Sequence, residues 1–183
     1  VIRFEGSETK DRPALHTTFS ADGRFLAWVE IRKEVRVQEI LKPAAKIFVK
    51  PEAADIVAIA LSPDGARLAT GEGDGKVRLW DTATGKHLED FPGHSDAAQC
   101  VAFSNDGESL VSGGKDSLVH VSDASTGKLL YTIKDHAAGV LSAGFLPDGK
   151  TIMTAGSDGA VLFSDALSGK EIERRPAPQG IVE

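Results

Sequence analysis

The chain has 183 residues, a formal net charge of −6 at pH 7, 41% hydrophobic residues and 26% charged residues. This composition fits a globular domain, and its scattered, net acidic charge argues against a broad surface for nucleic acid or an anionic membrane. The single cysteine, Cys100, excludes an internal disulfide and a cysteine-based zinc site. The longest apolar run, residues 56–61, is far too short to cross a bilayer as a helix.

The two ends of the sequence carry little targeting information. The chain starts at Val1 and its only methionine is Met153, which predicts a processed product or a piece of a longer polypeptide. There is no signal-peptide pattern at the N-terminus, and no cysteine pattern typical of an oxidising compartment. We therefore expect a cytoplasmic protein.

A pattern that recurs every 42 residues begins at residue 19. The turn sequence FSADG at 19 is followed by LSPDG at 61, FSNDG at 103 and FLPDG at 145. A second turn recurs at the same interval, as DTATGK at 81, DASTGK at 123 and DALSGK at 165. A fixed period of this length is the signature of a repeat architecture.

The second unit shows the order of the predicted strands. The run VAIALS at 57–62 is apolar on both sides, as in a buried inner strand. A Ser-Pro-Asp-Gly turn follows, because proline presets φ and glycine accepts a positive φ. RLATG at 67–71 predicts the second strand, and KVRLWD at 76–81, where apolar and polar residues alternate, predicts the third. HLEDF at 87–91 predicts a more polar edge strand, so each unit predicts four short antiparallel strands.

Four antiparallel strands repeated every 42 residues, with one Trp-Asp dipeptide at 80–81, resemble the WD-repeat β-propeller family. The resemblance covers essentially the whole chain and implies an all-β propeller of four-stranded antiparallel blades. Its predicted parts are an outer strand and loop of a preceding blade at 1–13, blades at 14–50, 51–92, 93–134 and 135–176, and the start of a further unit or a tail at 177–183. Because WD-repeat rings most often have seven blades, the four repeats predict an arc of a larger ring. The remaining blades would come from the same longer chain or from a second copy.

The glycine-rich segments are interpreted as turns, although a phosphate-binding loop was the alternative. A Walker-type loop has the spacing GxxxxGK followed by Ser or Thr. The segment ending in Gly85-Lys86 fails because Trp80 stands at the first glycine position. GFLPDGKT at 144–151 fits the letters, but the sequence after it predicts a strand, so no helix N-terminus would bind the phosphate. We expect no cofactor.

The resemblance also implies a structural network of hydrogen bonds inside the blades. The family often places a His before the inner strand, a Ser or Thr on the second strand, an Asp in the next turn and a Trp on the third strand. The matching residues here are Thr70, Asp74 and Trp80 in the second unit, His94, Ser112 and Asp116 in the third, and His136, Thr154 and Asp158 in the fourth. Glu52 replaces the His of the second unit, serines replace the Trp of the third and fourth, and the first unit lacks the set.

A Ser-His-Asp set also suggests a hydrolase, which would need an exposed nucleophile and a substrate cleft. The set recurs after 42 residues, as a structural network in a repeat protein should, whereas an active site is normally single. We therefore expect no enzyme. His16, His87 and His120 have no partners at metal-ligand spacing and are interpreted as surface or strand-face residues, so no metal site is expected.

The predicted function is a non-catalytic scaffold that binds a protein or peptide on the loop face of the propeller, because a rigid scaffold concentrates binding residues in its loops. The alternatives are a sensory or regulatory propeller attached to a catalytic domain outside this segment, and an oligomerisation element of a larger assembly. No nucleic-acid or membrane partner is predicted. The candidate contact residues are Glu30, Glu72, Lys115 and Ser157 in the turns after the second strands, and Asp55, Asp96 and Gln99 before or within the inner strands.

Overall fold

A computed structural model gives the fold of residues 16–30, 34–41, 46–49 and 55–176, which are the described residues below, without the side chains of residues 30 and 46–49. Within these ranges the chain forms sixteen β-strands and no helix. This part of the chain accordingly contains no helix that is long and apolar enough to cross a membrane. The predicted strand and loop at 1–13 and the predicted tail at 177–183 lie outside it.

The sixteen strands form four antiparallel sheets, in which neighbours in sequence are neighbours in space. The first sheet contains β1 (Thr17–Phe19), β2 (Phe25–Glu30), β3 (Glu34–Glu39) and β4 (Lys46–Val49). The second contains β5 (Ile56–Leu61), β6 (Arg67–Glu72), β7 (Val77–Asp81) and β8 (His87–Phe91). The third contains β9 (Ala98–Phe103), β10 (Ser109–Gly114), β11 (Val119–Asp123) and β12 (Leu129–Ile133), and the fourth β13 (Val140–Phe145), β14 (Thr151–Gly156), β15 (Ala160–Asp165) and β16 (Glu171–Pro176). The prediction of four-stranded antiparallel blades is confirmed.

The repeated S-x-D-G sequence closes the turn between the first and second strands through its own side chains. In the second sheet the Ser62 hydroxyl donates to Asp64 Oδ1 at 2.5 Å and accepts from the Arg67 amide at 2.9 Å. Asp64 also accepts from the Ala66 amide, and Gly65 has a φ of 71°, a conformation that glycine adopts at no steric cost. The same serine-aspartate bonds recur in the first and third sheets. The turn chemistry therefore fixes where the first and second strands reverse in these three sheets; the fourth has Leu146 in place of the serine.

Apolar residues bury both faces of each interior sheet against its neighbours. One cluster joins the first sheet to the second through residues such as Val29, Val35 and Leu68. A second cluster joins the second and third sheets, and a third cluster joins the third and fourth. Burial of apolar area contributes roughly 25 cal/mol per Å², so the packing between sheets is the main stabilising term of the fold.

The first strands of the sheets lie side by side: β5 lies between β1 and β9, and β9 lies between β5 and β13. We call these four strands the inner strands. Because successive strands reverse direction, the connections fall on two opposite faces. The loop face carries the turns after the second strands (72–77, 114–119 and 156–160) and the segments 92–97 and 134–139 that lead into inner strands. The opposite face carries the other two turns of each sheet.

The first and last sheets each leave one apolar face open among the described residues. Phe19 is 56% exposed, whereas Leu61 and Phe103, one and two repeats later, are 6% and 9% exposed. At the other end, Met153 is 39% exposed, whereas the equivalent Ala69 and Val111 are completely buried. This is the exposure pattern of an arc of a larger ring, as the sequence predicted.

The difference between Phe19 and Phe103 gives a test of the open arc. Phe103→Ala should lower the free energy of unfolding by about 3–5 kcal/mol, because it leaves a cavity between packed sheets. Phe19→Ala, on the open face, should cost less than about 1 kcal/mol. Urea titrations monitored by circular dichroism measure both values. Similar large losses in the two variants would show that another surface covers Phe19.

Candidate functional site

One backbone hydrogen bond holds the loop face together in three successive sheets. The Gly73 amide donates to the Asp55 carbonyl at 2.8 Å, the Lys115 amide to the Ala97 carbonyl at 2.9 Å, and the Ser157 amide to the Gly139 carbonyl at 2.8 Å. Each bond ties the turn after the second strand to the segment that enters the inner strand. The predicted contact positions in these two connections therefore lie next to each other.

In the third sheet, His94 stands between Asp116 and Ser112. Its Nδ1 lies 3.0 Å from Asp116 Oδ1 and its Nε2 lies 3.0 Å from Ser112 Oγ, and the His94 side chain is completely buried. Because the carboxylate can only accept, Nδ1 carries the proton and Nε2 accepts from the Ser112 hydroxyl. Asp116 also accepts from the amides of Ser95 and Leu118. The network thus joins both connections of the loop face.

The fourth sheet repeats this arrangement. His136 Nε2 lies 2.8 Å from Thr154 Oγ1, and its Nδ1 lies 3.1 Å from Asp158 Oδ2. Asp158 accepts from the amides of Ala137 and Ala160. In the third sheet, Ser112 is only 4% exposed and its hydroxyl faces the histidine rather than a cleft. Because the two His-hydroxyl-Asp networks are repeated and buried, we infer that both hold the loops in place.

A glycine next to each histidine makes room for the imidazole ring. A Cβ atom at Gly114 would lie 2.4 Å from His94 Nδ1, and one at Gly156 would lie 2.5 Å from His136 Nδ1. Contacts this short do not occur, so any side chain at either position would displace the ring. Glycine at this repeat position therefore belongs to the network, although the family pattern of four residues does not include it.

The second sheet fills the same space differently, and two sequence predictions are wrong here. Glu72 stands where the third and fourth sheets have glycine, and its side chain is completely buried in an ion pair with Arg78. Trp80 Nε1 donates to Thr70 Oγ1 at 3.0 Å, and Thr70 lies 3.4 Å from Glu72 Oε1. Glu72 is therefore an internal residue and not an exposed contact, because its carboxylate pairs inside the sheet with the largely buried guanidinium of Arg78.

Asp74 is the second correction. The family pattern predicts it in the network of the second sheet, but its carboxylate accepts from the Lys76 amide at 3.2 Å and pairs with Lys76 Nζ at 3.5 Å. Beside Thr70, the buried Glu72 takes the position that a histidine has in the third and fourth sheets. In the third and fourth sheets, a histidine bonds to the equivalent aspartate. The second sheet has Glu52 at the position of this histidine, and Glu52 lies outside the described part of the chain.

The sequence spacing does not reveal His120 as a neighbour of His94, because His94 lies in the segment before β9 and His120 lies on β11. The two ring centroids are 4.5 Å apart, and His120 Nδ1 lies 3.0 Å from Thr132 Oγ1. Ligand-type atoms of His94, Asp116 and His120 lie within 4.8 Å of one another, a spacing that could gather a metal ion. Both nitrogens of His94 are already hydrogen-bonded, however, and His136 makes the same bonds beside Leu162, with no second histidine at that position. The cluster therefore extends the network.

The remaining predicted contact residues differ in their solvent exposure. Lys115, Ser157 and Asp96 are exposed, and Asp55 and Gln99 are half-buried. The side chain of Glu30 lies outside the described part of the structure. Lys115 forms no ion pair with any described residue, and the Asp96 carboxylate accepts from the Ala97 amide at 2.7 Å. Lys115 and Gln99 are the two that the structure brings to one groove.

That groove is formed by bulges at the start of three inner strands. The pairing with the second strand skips Val57, Gln99 and Leu141, which occupy the same position in successive repeats. A bulge redirects the side chain of the extra residue, and here all three line a groove of about 390 Å³ that also includes Lys115 and His16. Leu141 is 44% exposed, and Oε1 of Gln99 is buried without a hydrogen-bond partner among the described residues.

A second hollow of about 340 Å³ continues along the inner strands past Cys100. Burial raises the pKa of the Cys100 thiol to about 12. The thiol is therefore protonated at neutral pH and unreactive. The second hollow is lined by apolar residues together with polar ones such as Thr17, Gln99 and Ser142.

Comparison with known proteins agrees with this architecture. The profile of the WD domain, G-beta repeat, matches residues 46–81, 85–123 and 127–163, which is more than half of the chain. The chain belongs to the WD-repeat family. Each match begins at or just before the outer strand of one sheet and ends on the third strand of the next, so a WD repeat in sequence spans two sheets in space. Propellers of this family are generally protein-interaction scaffolds without catalysis.

Individual relatives share only short parts of their length with this WD-repeat chain. It is 34% identical over 91 residues to U3 snoRNP-associated protein-like YAO of Arabidopsis thaliana, covering 45% of this chain and 18% of that protein. It is 45% identical over 42 residues to the probable serine/threonine-protein kinase PkwA of Thermomonospora curvata, covering 23% of this chain and 6% of that protein. A chain in a crystal structure of the mitotic checkpoint complex superposes with a TM-score of 0.79 at 23% identity, covering 88% of this chain and 52% of that one. The last similarity shows the fold alone.

The buried ion pair predicts that Glu72 is needed for stability. Glu72→Ala should lower the free energy of unfolding by about 2–4 kcal/mol, because it leaves the guanidinium of Arg78 largely buried beside only one other carboxylate. Lys115→Ala, on the exposed side of the equivalent turn, should change it by less than about 0.5 kcal/mol. Urea titration measures both. Equal small losses would show that Arg78 does not depend on Glu72.

The paired histidines predict a loss of stability in mild acid. Burial lowers the pKa of both His94 and His120, and the neighbouring His94 lowers that of His120 further. The folded protein then binds fewer protons than the unfolded chain below the usual histidine value of about 6.5. The free energy of unfolding should therefore keep its full value above that pH and decrease as the pH falls below it.

His120→Leu tests this assignment, because it copies the Leu162 of the fourth sheet. The variant should lose less stability than the original protein between about pH 7 and pH 5.5, a range above the ordinary carboxylate pKa values. Urea titrations at the two pH values provide the measurement, with His87→Leu on an exposed strand as the control. Identical pH dependence in the original protein and in His120→Leu would contradict the assignment.

Proposed function

We propose that this chain is a non-catalytic scaffold that binds an extended peptide segment of a partner protein in the groove on its loop face. The observation that carries the proposal is the set of three bulges that turn Val57, Gln99 and Leu141 into one hollow. The network behind the turns supports a rigid surface, which limits the entropy lost on binding. Binding by preformed loops also agrees with the general role of WD-repeat propellers.

The chemistry of the groove suggests what the peptide must offer. Leu141 and Val57 favour an apolar side chain, and the carboxamide of Gln99 in the same lining can hydrogen-bond to the backbone of an extended peptide. Lys115 at the rim favours an acidic group close to that side chain. The scattered charge of the chain supports a protein partner rather than nucleic acid.

A second candidate is a regulatory propeller attached to a catalytic domain elsewhere in a longer protein. The short match to a protein whose name describes a probable serine/threonine kinase favours this alternative. It does not compete with the groove proposal, because the propeller would still act by binding. The rest of the ring, from the same chain or a second copy, would border the groove in either case.

A photo-crosslinker placed at Leu141 tests the groove directly. Native extract is irradiated with the chain carrying benzoylphenylalanine in place of Leu141, or in place of Leu167 as a control in an exposed turn on the opposite face. A partner polypeptide should be captured only from Leu141, and mass spectrometry should assign the crosslink to an extended segment of it. The affinity of the purified partner should then fall about tenfold or more with Leu141→Asp or Lys115→Glu.

Leu167→Asp provides the matched control for these affinity measurements, and the melting temperature of every variant should stay close to that of the original chain. Partner affinity that is unchanged by both groove substitutions would remove the groove from the binding site. Capture of the same partner from the two crosslinker positions would also contradict the proposal.

A further inference from the structure

A second kind of site lies on the opposite face, where consecutive sheets meet. The turn between the first and second strands and the turn after the third strand are joined there by a backbone bond, from Thr82 to Ala66 in the second sheet and from Ala124 to Glu108 in the third. The carbonyl oxygens of Thr82, Ala124 and Ala166 occupy the same position in successive repeats. What contacts these oxygens from the preceding sheet differs at each junction.

At the junction of the second and third sheets, an arginine side chain contacts the oxygen. Arg67 donates through Nη1 to the Ala124 carbonyl at 3.1 Å and through Nη2 to the Gly107 carbonyl at 2.7 Å. Its guanidinium carbon also lies 5.4 Å from the centroid of the Phe103 ring. The space between these two sheets is thus closed by a planar cation that donates to two backbone carbonyls.

At the junction of the third and fourth sheets, a tyrosine takes this role. The Tyr131 hydroxyl on β12 donates to the Ala166 carbonyl. Its ring also lies against Gly169, where an added Cβ would come within 2.6 Å of the ring. At these two junctions, two different residues from two different strands therefore donate a hydrogen bond to the equivalent carbonyl oxygen.

At the junction of the first and second sheets, neither donor is present among the described residues. Phe25 stands at the repeat position of Arg67, and its ring fills the space against Gly65. The Thr82 hydroxyl donates to the Gly65 carbonyl at 2.6 Å, so that oxygen is satisfied within the sheet. No described residue donates to the Thr82 carbonyl itself. A groove of about 440 Å³ remains there, with Phe25, Val37 and Thr82 in its lining.

The rim of this groove is acidic. Glu39, Asp64 and Asp81 line it together with one cation, Arg24, whose Nη2 lies 3.3 Å from Glu39 Oε1. Neither Asp64 nor Asp81 forms an ion pair with a described residue. Hydrogen bonds from Ser62 and Thr84, respectively, hold the pKa of these two carboxyl groups below the usual value, so both are ionised at neutral pH. The groove therefore has an excess of negative charge.

We propose that this groove binds an arginine side chain from a partner polypeptide, and that its guanidinium reaches the Thr82 carbonyl as Arg67 reaches the Ala124 carbonyl at the next junction. The guanidinium would donate to the Thr82 carbonyl, and Asp64 and Asp81 would balance its charge. Arginine fits better than lysine because its planar fork can donate to a carbonyl and a carboxylate at once. This site is independent of the loop-face groove.

The test uses three blocked tripeptides, acetyl-Gly-Arg-Gly-amide and the same peptide with lysine or citrulline in the centre, titrated into the full chain and followed by amide NMR signals. The arginine peptide should shift the signals of Thr82 and Ala83 and bind about tenfold more tightly than the other two. Citrulline keeps the shape and lacks the charge, whereas lysine keeps the charge and lacks the fork. If the lysine or the citrulline peptide bound as tightly as the arginine peptide, the assignment to arginine would be overturned.

Two substitutions locate the site, each with a matched control one repeat later. Asp64→Asn and Ala66→Trp should each weaken binding of the arginine peptide about tenfold, the first by removing charge and the second by filling the groove. Asp106→Asn and Glu108→Trp make the same changes in the third sheet, where Arg67 closes the junction, and should leave the affinity unchanged. Equal losses in the test and control variants, or signal shifts confined to the loop face, would contradict the proposal.

Discussion

The packing of apolar sheet faces against one another is the interaction on which the rest of the structure depends. Each interior sheet has two buried faces, so it is stable only between the sheets before and after it, and the chain must repeat the same strand order each time. Strand reversals then fall on two faces by necessity. Because the sheets supply the rigidity, the residues in the connections are free to differ from one repeat to the next.

The loop-face networks show two solutions for one internal space. In the third and fourth sheets, a histidine occupies it and glycine is required beside the ring. In the second sheet, the pair of Glu72 and Arg78 lies in this part of the blade, and Trp80 donates to Thr70. Each solution leaves few buried polar atoms unpaired, although Ser164, which replaces the Trp of the fourth sheet, has a buried hydroxyl without a partner among the described residues.

The sequence predicted the fold well because its signals are local and repeated: S-x-D-G turns, alternating strands and a fixed period. The histidine networks of the third and fourth sheets followed from the family pattern. The burial of Glu72 did not, since it depends on a cross-strand contact with Arg78, and neither did the approach of His120 to His94. The bulges at Val57 and Leu141 did not either. An inner strand is apolar on both sides, so its sequence does not show where an extra residue shifts the alternation.

Function in such a repeat should be sought where equivalent positions stop being equivalent. A position occupied by similar residues in every unit answers the common demands of the fold, as the turn aspartates and glycines do. Gln99 between Val57 and Leu141, and Phe25 where the next sheet has Arg67, break that equivalence in different ways: the first adds a buried acceptor to an apolar groove, and the second leaves a backbone carbonyl without its donor. Both differences place polar groups beside a surface hollow, where a binding partner can contact them.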